Sequence, residues 1–328
     1  RRPTQGSIAA HLADALRDCV AAGGQAMLLL NRRGLAACVQ CGSCGEVLRC
    51  PNCSVSLTPH RAPGRLLCHY CGYGRQIDRE CPRCRHLLLL PRGWGIQQLE
   101  AEVAGLLPGR PVLRMDADTT MRKGSHLAIL RDFERGQASV LIGTQMIAKG
   151  HHFPAVTVAG IVNIDDVLGF PDFRAGERAF QLLHQMAGRA GRGGVPGRVL
   201  VQTRIPEHPV LAHAARRDFH GYAEWELCQR REGGYPPFTR LAVVVASAAS
   251  EGEAASAAAD AGRAMSGDAA VQVLGPVAAP LHRLRGRYRW QLLVKSRRPA
   301  DLDRALARLP RDRGGAAIGV VVDPVSLM

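Results

Sequence analysis

Residues 41–53 read CGSCGEVLRCPNC and residues 68–84 read CHYCGYGRQIDRECPRC, so four Cys-x-x-Cys pairs lie in one short stretch. A Cys-x-x-Cys turn places both sulfurs on one side of a tight bend, and two facing turns close a tetrahedron around Zn²⁺. The glycines, prolines and asparagine in and after the pairs suit such turns. The stretch therefore predicts a cysteine-rich module that binds two zinc ions.

The spacing of the cysteines indicates which pairs share an ion. Fourteen residues separate Cys53 from Cys68, which is close to the spacing of a zinc-ribbon hairpin. The inner site then has the ligands Cys50, Cys53, Cys68 and Cys71, and the outer site has the ligands Cys41, Cys44, Cys81 and Cys84. This nested arrangement returns the chain close to where it left, which fits an insertion into another domain.

The predicted zinc ions are structural. All four ligand positions of each site are filled, so no position is left for a water that the metal would activate. Iron–sulfur ligation is the main alternative on the cysteine count. Disulfides are disfavoured because such pairs in intracellular chains usually bind metal. Cys38 precedes the first pair but forms no Cys-x-x-Cys pair of its own, so it belongs to neither site.

Length and charge restrict the class of protein. At 328 residues, two domains with the zinc module as an insert are expected, and the formal net charge is +15. Two zinc ions on eight thiolates would leave about +11, which favours a polyanionic partner such as nucleic acid. An Arg-rich solvated surface is the alternative. No stretch reaches membrane-spanning length, and the first residue is Arg1, which suggests a fragment. Reduced thiolates favour the cytoplasm.

Short apolar runs alternate with amphipathic helix patterns over residues 1–205. The first run is AMLLL at residues 26–30, and further runs occur at 112–115, 140–142, 156–164 and 198–203. This alternation predicts one parallel sheet with helices on both faces. A single helix is predicted near residues 209–230, beneath that sheet.

A cluster of glycines and prolines at 233–237 marks a domain boundary. Beyond it the pattern predicts strands at 240–247, 271–277, 287–295 and 317–323 and helices at 251–265 and 300–309. This order is typical of a small two-layer α+β domain. In the 287–295 strand one face carries Arg287, Arg289 and Gln291, and the other carries Tyr288, Trp290 and Leu292.

Polar and basic groups follow the predicted strands at their carboxyl ends, where α/β sheets place their sites. Asn31-Arg32-Arg33-Gly34 follows the first strand, and residues 143–154 (GTQMIAKGHHFP) follow the strand at 140–142. Residues 185–192 (QMAGRAGR) begin at the end of a helix predicted at 176–186 and continue beyond it. Arginines three apart on a Gly-interrupted turn suit the charge of a transferring phosphoryl group, although alone they are also compatible with an ordinary basic turn.

The last two segments resemble the fifth and sixth motifs of superfamily 2 helicases. Over its whole length the chain is similar to the primosomal protein N′ (PriA) family of replication-restart helicases. The similar segments are residues 28–34, the eight cysteines, and residues 142–154, 171–174, 181–192, 275–277 and 287–293. Their order and the position of the cysteine-rich insert carry this resemblance more than any single motif does.

The resemblance implies an α/β fold: a RecA-like parallel-sheet helicase lobe with an inserted binuclear zinc module, followed by a small α+β domain. The implied division is 1–36 for the first part of the lobe, 37–90 for the zinc module, 91–235 for the rest of the lobe, and 236–328 for a C-terminal DNA- and partner-binding domain. Members of the family are bacterial 3′→5′ DNA helicases that recognise abandoned forks and start primosome assembly. An ATP-dependent hydrolase in the cytoplasm, associated with the nucleoid, is therefore implied.

The resemblance also implies roles for individual residues. Arg189 and Arg192 would reach the β- and γ-phosphates across the cleft between two lobes, with Arg192 as the arginine finger. Nucleotide contacts are implied for Gln185, Lys149 and Gly150, and contacts to the DNA backbone for Arg32, Arg33, Thr144, Gln145 and Arg289. The alternative for Arg32 and Arg33 is exposed charge after a core strand.

The implied partners are branched and single-stranded DNA, single-stranded DNA-binding protein, other primosome proteins and the loader of the replicative helicase, with no membrane. Arg287 and Gln291 match the family's positions for a pocket that takes the acidic tail of single-stranded DNA-binding protein. An arginine fork beside an amide suits the carboxylate that ends this tail. The alternative is that both residues contact DNA.

The sequence contains no GxxxxGK[ST] loop, so nothing in it cradles the phosphates of ATP. ATP and Mg²⁺ would bind only together with a first helicase lobe, and this chain alone is expected to be inactive. Two hypotheses remain. The chain is the rear half of an ATP-driven DNA motor, or it belongs to a non-catalytic fork-binding and helicase-loading scaffold with a vestigial helicase domain. The intact sixth motif favours the motor.

Overall fold

The computed structural model describes residues 8–30, 38–41, 48, 51, 57–59, 65–67, 73–76, 80–85, 89–92, 95–122, 124–148, 153–168, 172–191, 196–267, 269–310 and 315–327. The chain divides into two units. The first contains residues 1–34, 94–170 and 174–223, and the second contains residues 35–93, 171–173 and 224–328. Each unit has its own sheets and is described separately.

The elements are numbered along the chain. The helices are α1 (Ala10–Ala21), α2 (Ile96–Leu106), α3 (Ser125–Glu134), α4 (Asp165–Leu168), α5 (Ala175–Ala187), α6 (Pro209–Arg216), α7 (Phe219–Glu232), α8 (Glu251–Met265) and α9 (Pro299–Ala307). The strands are β1 (Gln25–Leu30), β2 (Cys38–Cys41), β3 (Thr58–Pro59), β4 (Arg65–Leu67), β5 (Gly74–Gln76), β6 (Leu89–Arg92), β7 (Val112–Met115), β8 (Val140–Gly143), β9 (Val156–Val162), β10 (Arg198–Val201), β11 (Arg240–Ala248), β12 (Val271–Leu284), β13 (Arg287–Ser296) and β14 (Ala317–Val322). Within the described ranges, no helix is long and apolar enough to cross a membrane.

The first unit is built on a parallel sheet with the strand order β10-β9-β1-β8-β7. All six residues of the central strand β1 are buried, which explains why its sequence is continuously apolar. The even-numbered residues of β1 join one core cluster with the apolar faces of α1 and α2. Helices α3 and α5 pack against β7 and β9. Because alternate residues of a strand point to opposite faces, the odd-numbered residues of β1 face the other layer.

The predicted parallel sheet with helices on both faces is confirmed, but the prediction of a single helix near 209–230 was wrong. The chain leaves α6 at Arg217, whose φ of 56° is left-handed. Asp218 then caps α7, because its carboxylate accepts a hydrogen bond from the backbone N–H of Gly221 at 2.8 Å. A left-handed residue followed by a capping aspartate ends one helix and begins the next, and hydrophobic periodicity does not report either event.

The C-terminal part of the second unit is an antiparallel sheet with the order β12-β13-β11-β14. The predicted strand and helix order is confirmed, and β12 extends beyond the predicted end at 277 to a hairpin turn at Arg285-Gly286, where both φ angles are positive. Helices α8 and α9 cover one face, with a core of small and branched residues. Ser250 and Glu253 form a capping box at the start of α8.

Candidate zinc module and nucleic-acid-facing surfaces

Two antiparallel strands close the base of the cysteine-rich module. β2 pairs with β6 so that Cys38 lies opposite Arg92 and Cys41 lies opposite Leu89. The chain therefore leaves along β2 and returns along β6. This pairing places the backbone of Cys41 opposite Leu89, which follows Cys84 by five residues in the sequence.

The last Cys-x-x-Cys pair has the backbone of a metal-binding turn. Residues 82–84 form a turn, and the N–H of Arg85 donates to the carbonyl of Cys81 at 2.9 Å. Arg85 has a left-handed φ of 60°. Cys81 is fully buried, whereas Cys84 is exposed. A turn between the two cysteines of a Cys-x-x-Cys pair fits a zinc half-site.

The inner cysteines lie, in sequence, before and between the strands of a small antiparallel sheet with the order β3-β4-β5. Cys53 comes before β3, and the pair Cys68/Cys71 occupies the connection between β4 and β5. Leu48, Leu57 and Leu66 are buried, and these side chains form the small apolar support of the module. The predicted ligands Cys44, Cys50, Cys53, Cys68 and Cys71 lie outside the described residues. Within those residues, no group of three or more metal-binding side chains comes together.

The carboxyl ends of the parallel strands meet at one edge of the first sheet. Gly143 ends β8 beside Leu29 of β1, and Thr144 and Gln145 follow it half-buried. A Cβ on Gly143 would lie 2.3 Å from Cγ2 of Ile147 and 2.9 Å from the carbonyl oxygen of Met115, so the turn requires glycine. The predicted site residues Arg32 and Arg33, which follow β1, and Lys149 and Gly150, which follow this turn, lie outside the described residues.

Two carboxylates at the same edge stabilise loops. Asp116, after β7, accepts a hydrogen bond from the N–H of Thr119 at 2.9 Å and lies 3.2 Å from Nε of Arg114. Asp165, after β9, accepts hydrogen bonds from the Thr203 hydroxyl and from the N–H of Arg204. Both aspartates are therefore engaged with their own unit, which fits loop capping better than acid–base chemistry.

Helix α5 carries the predicted arginine motif at its C-terminal end. Gln185 lies in the last turn and is exposed, and Arg189 lies just beyond the helix and is half-buried. The N–H of Gly191, whose φ is 81°, donates to the carbonyl of Val156 at 3.1 Å. The backbone of the motif is thus attached to the first residue of β9. Arg192 lies outside the described residues.

Strand β13 places Arg287, Arg289 and Gln291 on one face, while Trp290, Leu292 and Val294 join the core under α8 and α9. The predicted division of faces is confirmed. One guanidinium nitrogen of Arg287 donates to two backbone carbonyls, that of Ser247 at 2.7 Å and that of Gly315 at 2.9 Å. This anchoring to β11 and to the start of β14 was not predicted. It holds the side chain in place and leaves fewer of its donors for an external carboxylate.

A group of basic and aromatic side chains lies at the β12–β13 hairpin. Arg283 and Tyr288 are cross-strand partners, and the guanidinium carbon of Arg283 lies 4.9 Å from the ring centroid of Tyr288. His282 packs edge-on against the same ring at 5.5 Å and lies 3.2 Å from Glu251 of α8. Sequence spacing alone did not single out His282, because a bulge between Ala278 and Arg283 shifts the register.

Comparison with known families finds three matches in chain order. Residues 50–75 match the model of the PriA DNA helicase Cys-rich region domain, and residues 94–194 match the helicase conserved C-terminal domain. Residues 231–325 match the primosomal protein N C-terminal domain. The first match lies within the predicted zinc module, the second covers the parallel sheet from α2 to the arginine motif, and the third covers the antiparallel sheet.

Whole-chain relatives agree with these matches. The chain is 40% identical to the replication restart protein PriA of Bacillus subtilis over 94% of its own length and 39% of that protein. It is 38% identical to PriA of Haemophilus influenzae over 92% of its length and 42% of that protein, and 38% identical to PriA of Treponema pallidum over 98% and 50%. The chain thus spans half or less of the length of these relatives. With a helicase C-terminal domain, a cysteine-rich zinc domain and a primosomal C-terminal domain in the same order, the chain belongs to the PriA family of replication restart proteins.

Proposed function

We propose that this chain is the C-terminal part of a 3′→5′ DNA helicase that recognises stalled or abandoned replication forks and starts primosome assembly. The observation that carries the proposal is the succession of three family domains along a chain whose relatives are replication restart proteins. Under this proposal, the divisions 1–36 plus 91–235, 37–90 and 236–328 are the second helicase lobe, the zinc module and the DNA- and partner-binding domain. The protein acts in the cytoplasm on the nucleoid.

The second lobe contributes residues to ATP hydrolysis but does not hydrolyse ATP alone. Arg189 and Arg192 stabilise the charge on the transferring phosphoryl group, and Gln185, Lys149 and Gly150 contact the nucleotide. ATP and Mg²⁺ are held mainly by a first lobe, because these 328 residues contain no GxxxxGK[ST] loop. The exposed position of Gln185 and the attachment of Gly191 to β9 support a motif that is presented at the edge of the lobe.

The zinc module holds two ions in nested sites. The pairing of β2 with β6 supports an outer site formed by Cys41, Cys44, Cys81 and Cys84. The small sheet β3-β4-β5 supports a ribbon in which Cys50, Cys53, Cys68 and Cys71 hold the inner ion. Four thiolates per ion stabilise a module whose apolar core is too small to fold alone. When bound, the zinc ions supply structure and no catalytic water.

Two surfaces of the chain bind DNA and protein partners. At the edge of the parallel sheet, Arg32, Arg33, Thr144 and Gln145 contact the phosphates of a single strand, and in the C-terminal domain Arg289 contacts branched DNA. Arg287 and Gln291 orient the carboxylate of the tail of single-stranded DNA-binding protein. After DNA is bound, the other primosome proteins and the loader of the replicative helicase are recruited to it. The net charge of +15 supports a polyanionic partner.

The zinc and motor parts of the proposal have separate tests. Metal analysis of the purified chain is expected to find two zinc ions and no iron chromophore, and a brown protein or one zinc per chain would contradict the two ligand sets. The full-length parent is expected to show DNA-stimulated ATP hydrolysis and 3′→5′ unwinding, and this chain alone to show neither. A full-length protein that binds forks but hydrolyses no ATP would favour the scaffold hypothesis instead.

The tail-binding pocket has its own test. A labelled peptide with the acidic tail sequence and its terminal carboxylate is titrated against the chain and against the Arg287→Ala and Gln291→Ala variants. Both substitutions are expected to weaken binding, because they remove the fork and the amide that orient the carboxylate. Because Arg287 also anchors Ser247 and Gly315, Gln291→Ala is the cleaner variant. Equal affinity of all three proteins for the peptide would exclude this pocket.

A further inference from the structure

The β12–β13 hairpin extends beyond its neighbouring strand and carries an arginine at its tip. β11 ends at Ala248, which pairs with Tyr288 of β13, so residues 284–287 lie beyond the end of β11. Arg285 and Gly286 form the two-residue turn of the hairpin. Arg285 is exposed. The C-terminal sheet therefore presents one arginine at the end of a projecting hairpin.

The backbone of this turn is unfavourable for arginine. Both turn residues have left-handed φ angles, 50° for Arg285 and 82° for Gly286. Two positive φ angles are the pattern of the type I′ hairpin turn, whose first position is usually asparagine, aspartate or glycine, because other residues are strained there. Strain at an exposed residue points to a function of the side chain, since packing does not require that residue.

Two other arginines of the hairpin stabilise it. The guanidinium carbon of Arg283 lies 4.9 Å from the ring centroid of Tyr288, its cross-strand partner. One guanidinium nitrogen of Arg287 donates to the backbone carbonyls of Ser247 at 2.7 Å and Gly315 at 2.9 Å. Both strands are thus held next to the turn, and the tip is presented on a stiff support.

The aromatic rings of the hairpin are already in contact with other side chains. His282 packs edge-on against Tyr288 at 5.5 Å, and its Nε2 lies 3.2 Å from a carboxylate oxygen of Glu251 in α8. Trp290 packs against the core under α8 and α9. Sites for single-stranded DNA offer open rings on which bases stack. A hairpin with engaged rings and an arginine at its tip suits a double helix better than a single strand.

The dimensions of the hairpin favour one groove of the double helix. Paired strands are about 4.8 Å apart before side chains are added, so the ribbon is too wide for a minor groove of about 6 Å, whereas one side chain fits. Reading the major groove needs several side chains of one ribbon face, but Arg287 on that face is held by two carbonyls. The minor groove of A·T-rich DNA is narrow, and its negative potential attracts an inserted arginine.

We infer that the β12–β13 hairpin binds the minor groove of double-stranded DNA, with Arg285 inserted at A·T-rich steps and with Arg283, Tyr288 and Arg287 as its supports. The inference rests on the proposed function and deepens it, because it names the part of a branched DNA that the C-terminal domain contacts. All of these residues lie in the second unit.

The most informative variant is Arg285→Asn, because asparagine is favoured at the first position of a type I′ turn. The substitution removes the charge and keeps the turn, so the Tm of the purified chain is expected to stay the same or to rise. Affinity for a labelled A·T-rich duplex is expected to fall by roughly 5- to 20-fold, and affinity for a single strand of the same sequence is expected to stay unchanged. Equal duplex affinity of Arg285→Asn and the wild-type chain would overturn the inference.

The matched control is Arg297→Ala, which removes an exposed arginine just beyond the other end of β13. This variant is expected to keep the wild-type affinity for the duplex. If it weakens duplex binding as much as Arg285→Asn does, the hairpin tip has no special role and the inference fails.

Netropsin, which occupies the minor groove of A·T-rich DNA, provides a test that needs no variant. A duplex saturated with netropsin is expected to bind the wild-type chain as weakly as the free duplex binds Arg285→Asn, and netropsin is expected to have little effect on that variant. Replacing the A·T-rich segment by G·C pairs is expected to weaken wild-type binding in the same way. Wild-type affinity that netropsin leaves unchanged would overturn the inference.

The outcomes separate this inference from the proposed function. A chain that binds forks, but whose affinity is changed by neither Arg285→Asn nor netropsin, keeps the proposed function and loses the hairpin site. A chain that binds no DNA contradicts both. A loss of single-strand affinity in Arg285→Asn as large as the loss of duplex affinity would also overturn the inference.

Discussion

The two large sheets of this protein differ in which of their faces are covered by helices. In the parallel sheet, helices cover both faces, and every residue of the central strand β1 is buried. In the antiparallel sheet, α8 and α9 cover one face, and the opposite face is covered only in part, with Val277 53% and Val321 55% exposed. A parallel sheet therefore offers its carboxyl edge for chemistry, and a one-sided antiparallel sheet also offers a surface for binding.

The largest expected effect concerns the arginine motif that follows α5 in the parallel-sheet unit. In the full-length parent, Arg192→Ala is expected to lower DNA-stimulated ATP turnover by about 10³-fold or more, because an arginine finger stabilises charge that develops in the transition state. Arg204→Ala is the matched control, since Arg204 is exposed beyond the carboxyl end of β10, away from the residue of β9 that holds Gly191. A fully active Arg192→Ala protein would leave the parallel-sheet unit without its proposed arginine finger.

The next largest effect concerns how tightly side chains pack around a glycine in each of the two sheets. A Cβ on Gly160 of β9 would lie 2.5 Å from a methyl of Leu28, whereas a Cβ on Gly319 of β14 would meet no atom within 4 Å. Gly160→Ala is therefore expected to lower the free energy of unfolding by about 1–3 kcal/mol, as overpacking of a core does. Gly319→Ala is expected to change it little. Urea unfolding of both variants measures the difference, and equal losses would mean that both sheets are packed equally.

A smaller effect concerns the open face of the antiparallel sheet. Arg289→Ala is expected to weaken DNA binding uniformly across sequences and to reduce the slope of log affinity against log salt concentration by about 1, because one phosphate contact is lost. Arg263→Ala removes one positive charge from α8 on the helix-covered side and serves as the control. Titrations at several salt concentrations check this, and identical slopes for all three proteins would leave the face without a role in DNA binding.

The smallest effect concerns the caps of the helices. The N–H of Gly221 and then His213 lower the pKa of Asp218 below its ordinary value of 3.8. A carboxylate with a lowered folded-state pKa stabilises the fold above the unfolded value, and this contribution is lost as pH falls through the folded-state pKa. Asp218→Ala is therefore expected to lower Tm by about 2–4 °C at pH 7, as a lost cap does, and by less near pH 3.

The cap of α8 provides the comparison for that measurement. Ser250 has no charge to lose, and its hydroxyl accepts a hydrogen bond from the N–H of Glu253 at 3.3 Å. Ser250→Ala is expected to lower Tm at pH 7 and to keep most of that difference near pH 3. If the Asp218→Ala difference also persists unchanged at pH 3, the ionised carboxylate is not what stabilises the start of α7.

Most of the fold was predictable because it depends on local patterns. Continuous apolar runs predicted the buried parallel strands, and alternation predicted which face of β13 carries Arg289 and which carries Trp290. The break between α6 and α7 was missed, because a left-handed Arg217 has no hydrophobic signature. The extension of β12 beyond 277 was missed because a further register shift, between Ala278 and Arg283, interrupts the alternation.

The candidate sites were predictable to the extent that their residues are neighbours in sequence. The cysteine pairs and the arginine motif are short motifs of nearly consecutive residues. Family matches cover the inner cysteine pairs and the arginine motif. The anchoring of Arg287 to Ser247 and Gly315 joins segments that are 40 and 28 residues apart. No spacing rule predicts such a contact, because it depends on how the strands are ordered in the sheet.

The amino-acid sequence by itself determined the parallel sheet, the cysteine-rich insert, the α+β domain and the family. It could do so because hydrophobic periodicity and cysteine spacing are properties of short sequence segments. It contained no sign that Phe173 would stack on Tyr235, that Lys295 would lie over that ring, or that Asp172 would hold Ser326. Those contacts depend on the folded path of the chain, which brings together side chains more than 50 residues apart. Contacts between residues so distant in sequence depend on tertiary packing, so no local sequence preference predicts them.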